Sequence, residues 1–323
     1  MKGKQHIQIS NRAAHYKFDL FRNITVVRGD SGTGKTTLYN MVADHTRLGD
    51  ASGVNLSCAK KCVALVDMDW KNQLMNISDS IVFIDEGAKY VTSTEFADAI
   101  KHTDNYYVIF NREGMHALPY SVDEIYEIKT SGRYHTFSKM YSPSKGHIYS
   151  ESRKKFDYNI LLTEDSNSGM QFYENYLKDT DVSCETSGAN SAVFSWLKNH
   201  PDKKVLVIAD GAAFGSEMDR VMKLQSEHSD NIRVCLPESF EWLILRSGLI
   251  DNSYADISAI LADTSEYVES REFFSWENFF EHLLIKSTEH THFQYAKSSL
   301  NSIYLIEENS NKIAEEIKQA LKK

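Results

Sequence analysis

The stretch "NITVVRGDSGTGKTTLYNMV", Asn23–Val42, decides the fold of the first part of this chain. A run of β-branched and apolar residues predicts a buried strand, and a glycine-rich turn follows it directly. The residues after the turn have the apolar spacing of an amphipathic helix. A strand, a glycine turn and a helix in this order are typical of a parallel α/β domain.

The turn, "GDSGTGKT", fits the pattern G-x-x-x-x-G-K-[ST] at every position. Its glycines permit positive φ, so successive backbone N–H groups can point at phosphate oxygens, and the following helix adds its positive end. We expect Lys35 to reach the β- and γ-phosphates of ATP and the Thr36 hydroxyl to ligate Mg²⁺. The predicted nucleotide-binding residues are Gly29, Asp30, Ser31, Gly32, Thr33, Gly34, Lys35, Thr36 and Thr37.

Two later strands end in polar residues that complete a hydrolytic site. "SIVFIDEG" ends in Asp85, expected to hold Mg²⁺, and Glu86, expected to orient or deprotonate the attacking water. "YYVIFNRE" ends in Asn111 and Arg112, a candidate γ-phosphate sensor and a candidate charge stabiliser, with plain surface residues as the alternative. Arg133, in a predicted hairpin, is a weaker candidate for an arginine that acts across a subunit interface.

The two strands that lead into "NITVVRGDSGTGKTTL" resemble the start of the ATPase heads of the ABC and overcoming-lysogenization-defect families. The chain has neither their helical arm nor an LSGGQ-like signature. Only 48 residues separate Thr36 from Asp85, and this compact spacing is similar to the zonula-occludens-toxin-like phage ATPases. These resemblances imply a P-loop ATPase that uses ATP and Mg²⁺, and we expect a homo-oligomer.

The second half of the chain alternates strand and helix patterns from Asn159 to Leu236, which predicts another parallel α/β unit. "SPSKGHIYSESRKKF", Ser142–Phe156, has the composition of a linker before it. From about Pro237 the pattern is mostly helical. The predicted fold is α/β, with two tandem parallel-sheet domains over residues 1–150 and 151–247 and a helical C-terminal region over residues 248–323 that packs on the second.

Acidic residues follow two strands of this second unit. Glu164 and Asp165 end "NILLTED", and Asp210 follows "KVLVIA". Ligands of open parallel sheets bind beyond the carboxyl ends of the strands, so we expect Glu164 and Asp210 to converge on one crevice. Their carboxylates are suitable ligands for Mg²⁺.

Residues 156–247 resemble the topoisomerase-primase (Toprim) domain. Glu164 matches the family's catalytic acid/base glutamate, Asp210 the first Asp of its D-x-D-x-x-G motif and Gly215 the Gly, whereas Ala212 stands where the second Asp belongs. Glu241 is similar to a glutamate in the nuclease-like branch. A P-loop ATPase joined to a Toprim domain is the plan of overcoming-lysogenization-defect nucleases and of antiphage ATPase–effector pairs.

Three functions are compatible with these sequence features. The first is an ATPase that regulates a Toprim-like effector or docking domain in bacterial or mobile-element DNA maintenance or antiphage defence. The second is a metal-dependent nuclease gated by ATP, with Glu164 and Asp210 at its core. The third is a non-catalytic module whose oligomerisation or partner binding depends on nucleotide.

The composition limits which classes of binding partner and which cellular location we expect. A net charge of −9 disfavours a globally basic nucleic-acid binder. The sequence has no signal-peptide core and no run of about 18 apolar residues, so we expect a cytoplasmic protein without a membrane segment, with unpaired cysteines. The second domain is the expected contact for nucleic acid or a partner protein. The aromatic residues of the C-terminal region are expected to pack against the second sheet. The alternative is a nucleic-acid groove that uses Lys286, Lys297 and a stacking Phe293 or Tyr295.

Overall fold

The computed structural model describes residues 1–150, 156–251 and 253–322, which divide into two compact units. The first comprises Met1–Tyr141 and Asp263–Ser275, and the second comprises Ser142–Ala262 and Trp276–Lys323. The fold is α/β, with a large mixed sheet and a second, smaller sheet. The boundary predicted after residue 150 adjoins residues 151–155, which lie outside the described residues.

The first unit is built on a nine-stranded sheet, counted over the residues described. Its strands are β1 (Gln5–Ser10), β2 (His15–Leu20), β3 (Ile24–Arg28), β4 (Asn55–Ser57), β5 (Lys61–Leu65), β6 (Ser80–Ile84), β7 (Tyr106–Phe110), β8 (Ile125–Ser131) and β9 (Tyr134–Lys139). Three α-helices accompany them in this part of the chain, α1 (Lys35–Leu48), α2 (Trp70–Met75) and α3 (Thr94–Ile100). The strand order is β4-β1-β2-β9-β8-β3-β7-β6-β5.

The centre of this sheet is parallel and fully buried. Every residue of β3, β6 and β7 is buried, as their apolar sequences predict. Strand β7 lies between β3 and β6 and pairs in parallel with both. The carboxyl ends of these three strands therefore meet at one edge of the sheet.

The sheet as a whole is mixed, so the parallel pairing predicted for the first unit is found only in part of it, and the predicted hairpin is β8–β9. Strand β1 pairs antiparallel with β2 and β4, and β8 with β9. The physical reason is visible in "HYKFDL" of β2, where buried and more exposed positions alternate. Such alternation belongs to strands with one buried face, which antiparallel sheets tolerate.

Helix α1 covers one face of this sheet through an apolar stripe. Leu38, Met41 and Val42 are buried on it and belong to one core cluster with Ile7 and Ile9 of β1. The spacing of these helix residues is the 3.6-residue period that the sequence predicts. The helix that follows the glycine turn is therefore fixed to the sheet by its own side chains.

A short segment from late in the chain, Asp263–Ser275, belongs to the first unit. The N–H of Gly3 donates to the carbonyl of Ser265 at 2.7 Å, and the N–H of Ser270 donates to the carbonyl of Met1 at 2.9 Å. The sequence interpretation did not separate this segment from the C-terminal region, because nothing in its composition differs from its neighbours.

The second unit has a five-stranded sheet in the residues described. Its strands are β10 (Ile148–Tyr149), β11 (Ile160–Thr163), β12 (Ser183–Thr186), β13 (Val205–Ile208) and β14 (Ile232–Cys235). Its helices are α4 (Ser168–Leu177), α5 (Asn190–Asn199), α6 (Met218–Glu227), α7 (Phe240–Arg246), α8 (Ile257–Ala262), α9 (Trp276–Thr288) and α10 (Glu307–Ala314). The strand order is β10-β14-β13-β11-β12.

The alternation predicted for the second unit is confirmed, since β11 to β14 are parallel and helices separate them. The prediction that Ser142–Phe156 is all linker is wrong, because β10 lies inside it and pairs antiparallel with β14. The four cysteines are free thiols, as expected. Among the helices described, none is long and apolar enough to cross a bilayer.

Asn105 links the starts of two central strands, which makes it a test of the fold. Its side chain is fully buried, its Oδ1 accepts the Ser80 N–H at 3.0 Å, and its Nδ2 donates to the Ile77 carbonyl at 2.9 Å. Asn105→Ala leaves a buried N–H without an acceptor, so we expect the free energy of unfolding to fall by about 1–3 kcal/mol. Denaturant titration measures this loss.

The matched control is Asn55→Ala, at an exposed position on β4. We expect it to change the free energy of unfolding by less than about 0.5 kcal/mol. Equal losses in the two variants would contradict the role given to Asn105.

Candidate functional site

The turn between β3 and α1, called here the glycine loop (Gly29–Thr36), has the backbone that the sequence predicts. Gly29, Gly32 and Gly34 have φ angles of 119°, 84° and 99°. The first turn of α1 carries no acidic side chain, so the positive end of the helix faces the loop without a neutralising carboxylate of its own. A loop of this geometry can present N–H groups to an anion.

Lys35 lies almost fully buried against the glycine loop, with 4% of its surface exposed. Its ammonium donates to the carbonyl of Gly29 and, at 2.9 Å, to the carbonyl of Asp30. It also lies 3.5 Å from the Thr33 hydroxyl. The charge of Lys35 is thus held at the centre of the loop by the loop's own oxygens.

Glu86 joins the glycine loop to the ends of two strands. One of its carboxylate oxygens lies 3.7 Å from the Lys35 ammonium, and the other forms an ion pair with Nε of Arg112. Arg112 also donates from a terminal nitrogen to the Ser31 hydroxyl at 3.0 Å. Three predicted site residues from three different elements therefore form one ion network.

The strand order explains why these residues meet. Val27 of β3 pairs with Phe110 of β7, and Ile84 of β6 pairs with Ile109. The residues that follow these strands are therefore level with one another at the carboxyl edge. Asn111 lies there, nearly buried, and its N–H donates to the Val27 carbonyl at 3.3 Å.

Three further predicted residues offer oxygen atoms at the same edge. The carboxylate of Asp85 follows β6 and is half-buried, and the hydroxyls of Thr36 and Thr37 begin α1 and are exposed. Among the residues described, the side chains of Thr36 and Asp85 have no hydrogen-bond or ion-pair partner. A hydroxyl and a carboxylate with free lone pairs fit a hard cation such as Mg²⁺. Arg133, by contrast, contacts the neighbouring Tyr134 at the hairpin tip.

Tyr16 is part of this site, and the sequence interpretation missed it. Its hydroxyl donates to the Gly34 carbonyl at 2.9 Å, and its ring stacks on His135 with 4.4 Å between centroids. In the sequence Tyr16 is only one apolar position of an alternating strand, 18 residues before Gly34. No local signal connects it to the glycine loop.

In the second unit, Glu164 and Asp210 follow adjacent strands. Thr163 of β11 pairs with Ile208 of β13, and the N–H of Asp210 donates to one oxygen of Glu164 at 3.0 Å. The second carboxylate oxygen of Glu164 is buried without a hydrogen-bond partner. Burial raises the pKa of Glu164 to about 8, and burial together with the nearby charge of Glu164 raises the pKa of Asp210 well above its usual range.

A lysine from the C-terminal region supplies the positive charge of this site. The Lys297 ammonium lies 3.2 Å from Glu277 and 3.1 Å from Glu281, both on α9. Burial disfavours its charge, but Glu241 and Glu277 outweigh that effect and raise the pKa of Lys297. Lys297 also lowers the pKa of Asp210 against the stronger effect of burial. We call Glu164, Asp210, Glu241 and Lys297 the carboxylate–lysine cluster.

Tyr295 corrects the nucleic-acid groove predicted from the C-terminal region. It is 3% exposed, and its hydroxyl donates to a carboxylate oxygen of Glu241 at 2.7 Å and lies 2.7 Å from the Ser168 hydroxyl. A ring in this position cannot stack on a base. Tyr295 packs inside the unit, as expected of the aromatic residues of the C-terminal region, and the alternative of a stacking ring is wrong for it.

Asp165 and Glu217 make other contacts, so neither replaces the aspartate missing at Ala212. Ala212 is 2% exposed, and its N–H donates to the Glu238 carbonyl at 3.1 Å. Asp165 caps α4 by accepting the N–H groups of Asn167 and Gly169, each at 2.8 Å. Glu217 forms an ion pair with Arg220. In the described part of the chain, no group of three or more His, Cys, Asp or Glu side chains is arranged to hold a metal ion.

No protein-family model matches the chain, and a search of the curated proteins finds no match either. Function is therefore argued from the geometry of the chain's own residues.

Gly34 gives a test of the glycine loop. A Cβ on Gly34 would lie 2.7 Å from the Tyr16 hydroxyl and only 3.6 Å from the ring carbon that carries it. We expect Gly34→Ala to lower the free energy of unfolding through both the positive φ and this clash. Adding Tyr16→Phe removes the clashing hydroxyl and should restore the share of the free energy of unfolding that the clash costs. A double-mutant cycle measures this share.

Gly32→Ala is the control, since its φ is also positive but nothing lies within 4 Å of its Cβ. Only the backbone cost of about 1–3 kcal/mol is expected there. If Gly34→Ala lowered the free energy of unfolding no more than Gly32→Ala does, the contact between Tyr16 and the loop would contribute nothing measurable to stability.

Proposed function

We propose that this chain is a Mg²⁺-dependent ATPase whose first unit regulates a Toprim-like second unit that acts as an effector or docking domain. The observation that carries the proposal is the position of the Glu86 carboxylate. It lies between Lys35 and Arg112, beside a loop in which three glycines have positive φ angles. ATP hydrolysis needs these parts together: a cradle of N–H groups, a cation for the phosphates and a base for water.

In this proposal the glycine loop and Lys35 bind the phosphates of ATP. The loop's N–H groups and the positive end of α1 would hold the phosphate oxygens. The Lys35 ammonium, which now donates to the carbonyls of Gly29 and Asp30, would exchange these neutral acceptors for charged oxygens of the β- and γ-phosphates. The lysine is already at the centre of the loop, so little reorganisation is needed.

Glu86 and Arg112 account for the chemical step. Glu86 would accept the proton of the attacking water, but here its carboxylate is engaged by both Lys35 and Arg112. A γ-phosphate would attract both cations and leave Glu86 free to act as the base. Arg112 would then stabilise negative charge on the transferred group, and Asn111, fixed to β3 by its N–H, would orient the γ-phosphate or the water.

The free oxygens of Thr36 and Asp85 would hold the magnesium ion. When bound, Mg²⁺ neutralises charge on the β- and γ-phosphate oxygens. The rest of the proposal follows from the family resemblances: a cytoplasmic homo-oligomer that works in bacterial or mobile-element DNA maintenance or antiphage defence. Nucleic acid or a partner protein would be engaged by the second unit.

The test of the ATPase proposal is Lys35→Ala. We expect phosphate release from Mg²⁺-ATP by the full chain to fall by about 100-fold or more, because the variant loses the cation that contacts the transferred group. Lys101→Ala, an exposed lysine after α3, is the control and should retain the full rate. Turnover by Lys35→Ala at the wild-type rate would refute the proposal.

A second candidate function is a metal-dependent nuclease in the second unit. The observation that favours it is the buried, unpartnered oxygen of Glu164 next to Asp210, both with raised pKa values at the carboxyl edge of the sheet. Perturbed carboxylates in this position are typical of functional sites. Glu164 and Asp210 would hold a divalent cation, although Ala212 supplies no third oxygen.

Glu164→Gln tests this candidate. If the site cuts nucleic acid, wild-type protein should cleave plasmid or single strands with Mg²⁺ or Mn²⁺, and the variant should be at least about 10–100-fold slower. Mn²⁺ binding, followed by calorimetry, should weaken in parallel. Asp202→Asn, at an exposed position, is the control. Intact substrates with wild-type protein and both metals would exclude the nuclease.

A further inference from the structure

Strands β2 and β9 pair over only two residue positions. His15 pairs with Tyr134 and Tyr16 with His135, after which the ladder stops. By comparison, β1 with β2 and β8 with β9 each pair over six positions. The sheet of the first unit is therefore open between Lys17–Leu20 and Thr136–Lys139, and we call this opening the strand gap.

A cavity of about 800 Å³ lies at the strand gap. Consecutive residues of a strand point to opposite faces of a sheet. The cavity is nevertheless lined by residues of both faces, including Lys17 and Phe18 of β2 and Thr136 and Phe137 of β9. An opening in the ladder explains this lining, because it lets the cavity reach through the sheet to the aromatic side chains of the core face.

Flat aromatic rings form the floor of the cavity. The rings of Phe18 and Phe137 are stacked with 3.9 Å between centroids and 11° between planes, and Tyr126 lies 5.8 Å from Phe137. Phe18 is buried and Phe137 is half-buried, so the stack leaves part of Phe137 accessible. Tyr134, at the other end of the cavity lining, is 54% exposed.

The rim of the cavity is positive although the chain as a whole is negative. Three lysines line it against one carboxylate, Asp19, in a chain of net charge −9. Lys17 is exposed and has no ion-pair partner among the described residues. Lys129 and Lys139 pair at 2.7 and 3.0 Å with acids outside the lining. Such exposed pairs are weak, so these lysines can exchange their partners for phosphates.

We propose that the strand gap binds single-stranded nucleic acid, with a base stacked on the exposed ring of Tyr134 and backbone phosphates on Lys17 and Lys129. Aromatic faces combined with cations along a groove are what single strands require. A peptide strand does not fit between β2 and β9, because Phe18 and Phe137 already touch across the opening. The cavity lining shares no residue with the glycine loop, and the proposal does not rest on the proposed ATPase activity.

The probe is a fluorescent oligothymidine longer than the roughly 16 nucleotides of a large single-strand site. Binding to the full chain is followed by anisotropy without ATP, in the Lys35→Ala background. We expect binding that weakens with salt. The double variant Lys17→Glu/Lys129→Glu should bind at least about tenfold more weakly, since it places two carboxylates where phosphates would lie.

The control double variant is Lys89→Glu/Lys101→Glu, which changes the net charge by the same amount at exposed positions outside the cavity. Tyr134→Leu tests stacking, because it keeps an apolar side chain but removes the exposed ring, and it should weaken binding by about tenfold. Circular dichroism verifies that each variant is folded.

Four outcomes would overturn the proposal. They are no binding of the oligonucleotide by the folded protein, equal weakening by both double variants, displacement by excess mononucleotide, and equal binding of duplex. The third would identify a mononucleotide pocket, and the fourth would identify a contact with the phosphate backbone alone. Loss of binding in the strand-gap variants only, with single strands preferred, is the supporting result.

Discussion

The candidate site of the first unit depends on one backbone constraint, which is that the chain leaves β3 through three glycines with left-handed φ angles. An L-residue with a side chain adopts this conformation only at a cost. The turn brings the first residue of α1 back beside the end of β3, and Lys35 is buried there as a consequence. In this position the lysine lies 3.7 Å from the Glu86 carboxylate, which also pairs with Arg112.

The local parts of this site were predictable, and their assembly was not. The strand, the glycine loop and α1 follow each other directly in the sequence, and Asp85, Glu86, Asn111 and Arg112 each follow an apolar run. Whether Arg112 reaches Glu86, however, depends on β7 lying between β3 and β6. Strand order is set by long-range packing, which no short pattern contains. The same holds for the antiparallel edge of the sheet and for the return of Asp263–Ser275 to the first unit.

In the second unit, the general rule for parallel sheets placed Glu164 beside Asp210. The rule could not reveal how the charge of these buried acids is balanced. Ionised carboxylates without partners are very costly to bury, so they become protonated or are paired. Here the pKa values rise, and Lys297 arrives from a distant part of the chain. The tyrosine that resembled a stacking ring in the sequence, Tyr295, is instead a hydrogen-bond donor to Glu241.

The Gly34 carbonyl accepts two hydrogen bonds, one from the Leu38 N–H in the first turn of α1 and one from the Tyr16 hydroxyl. Tyr16 is stacked in turn on His135 of the β8–β9 hairpin. A displacement of the hairpin would thus be transmitted through the buried ring of Tyr16 to the start of α1. This contact couples the β8–β9 hairpin to the start of α1, so a displacement of one element moves the other.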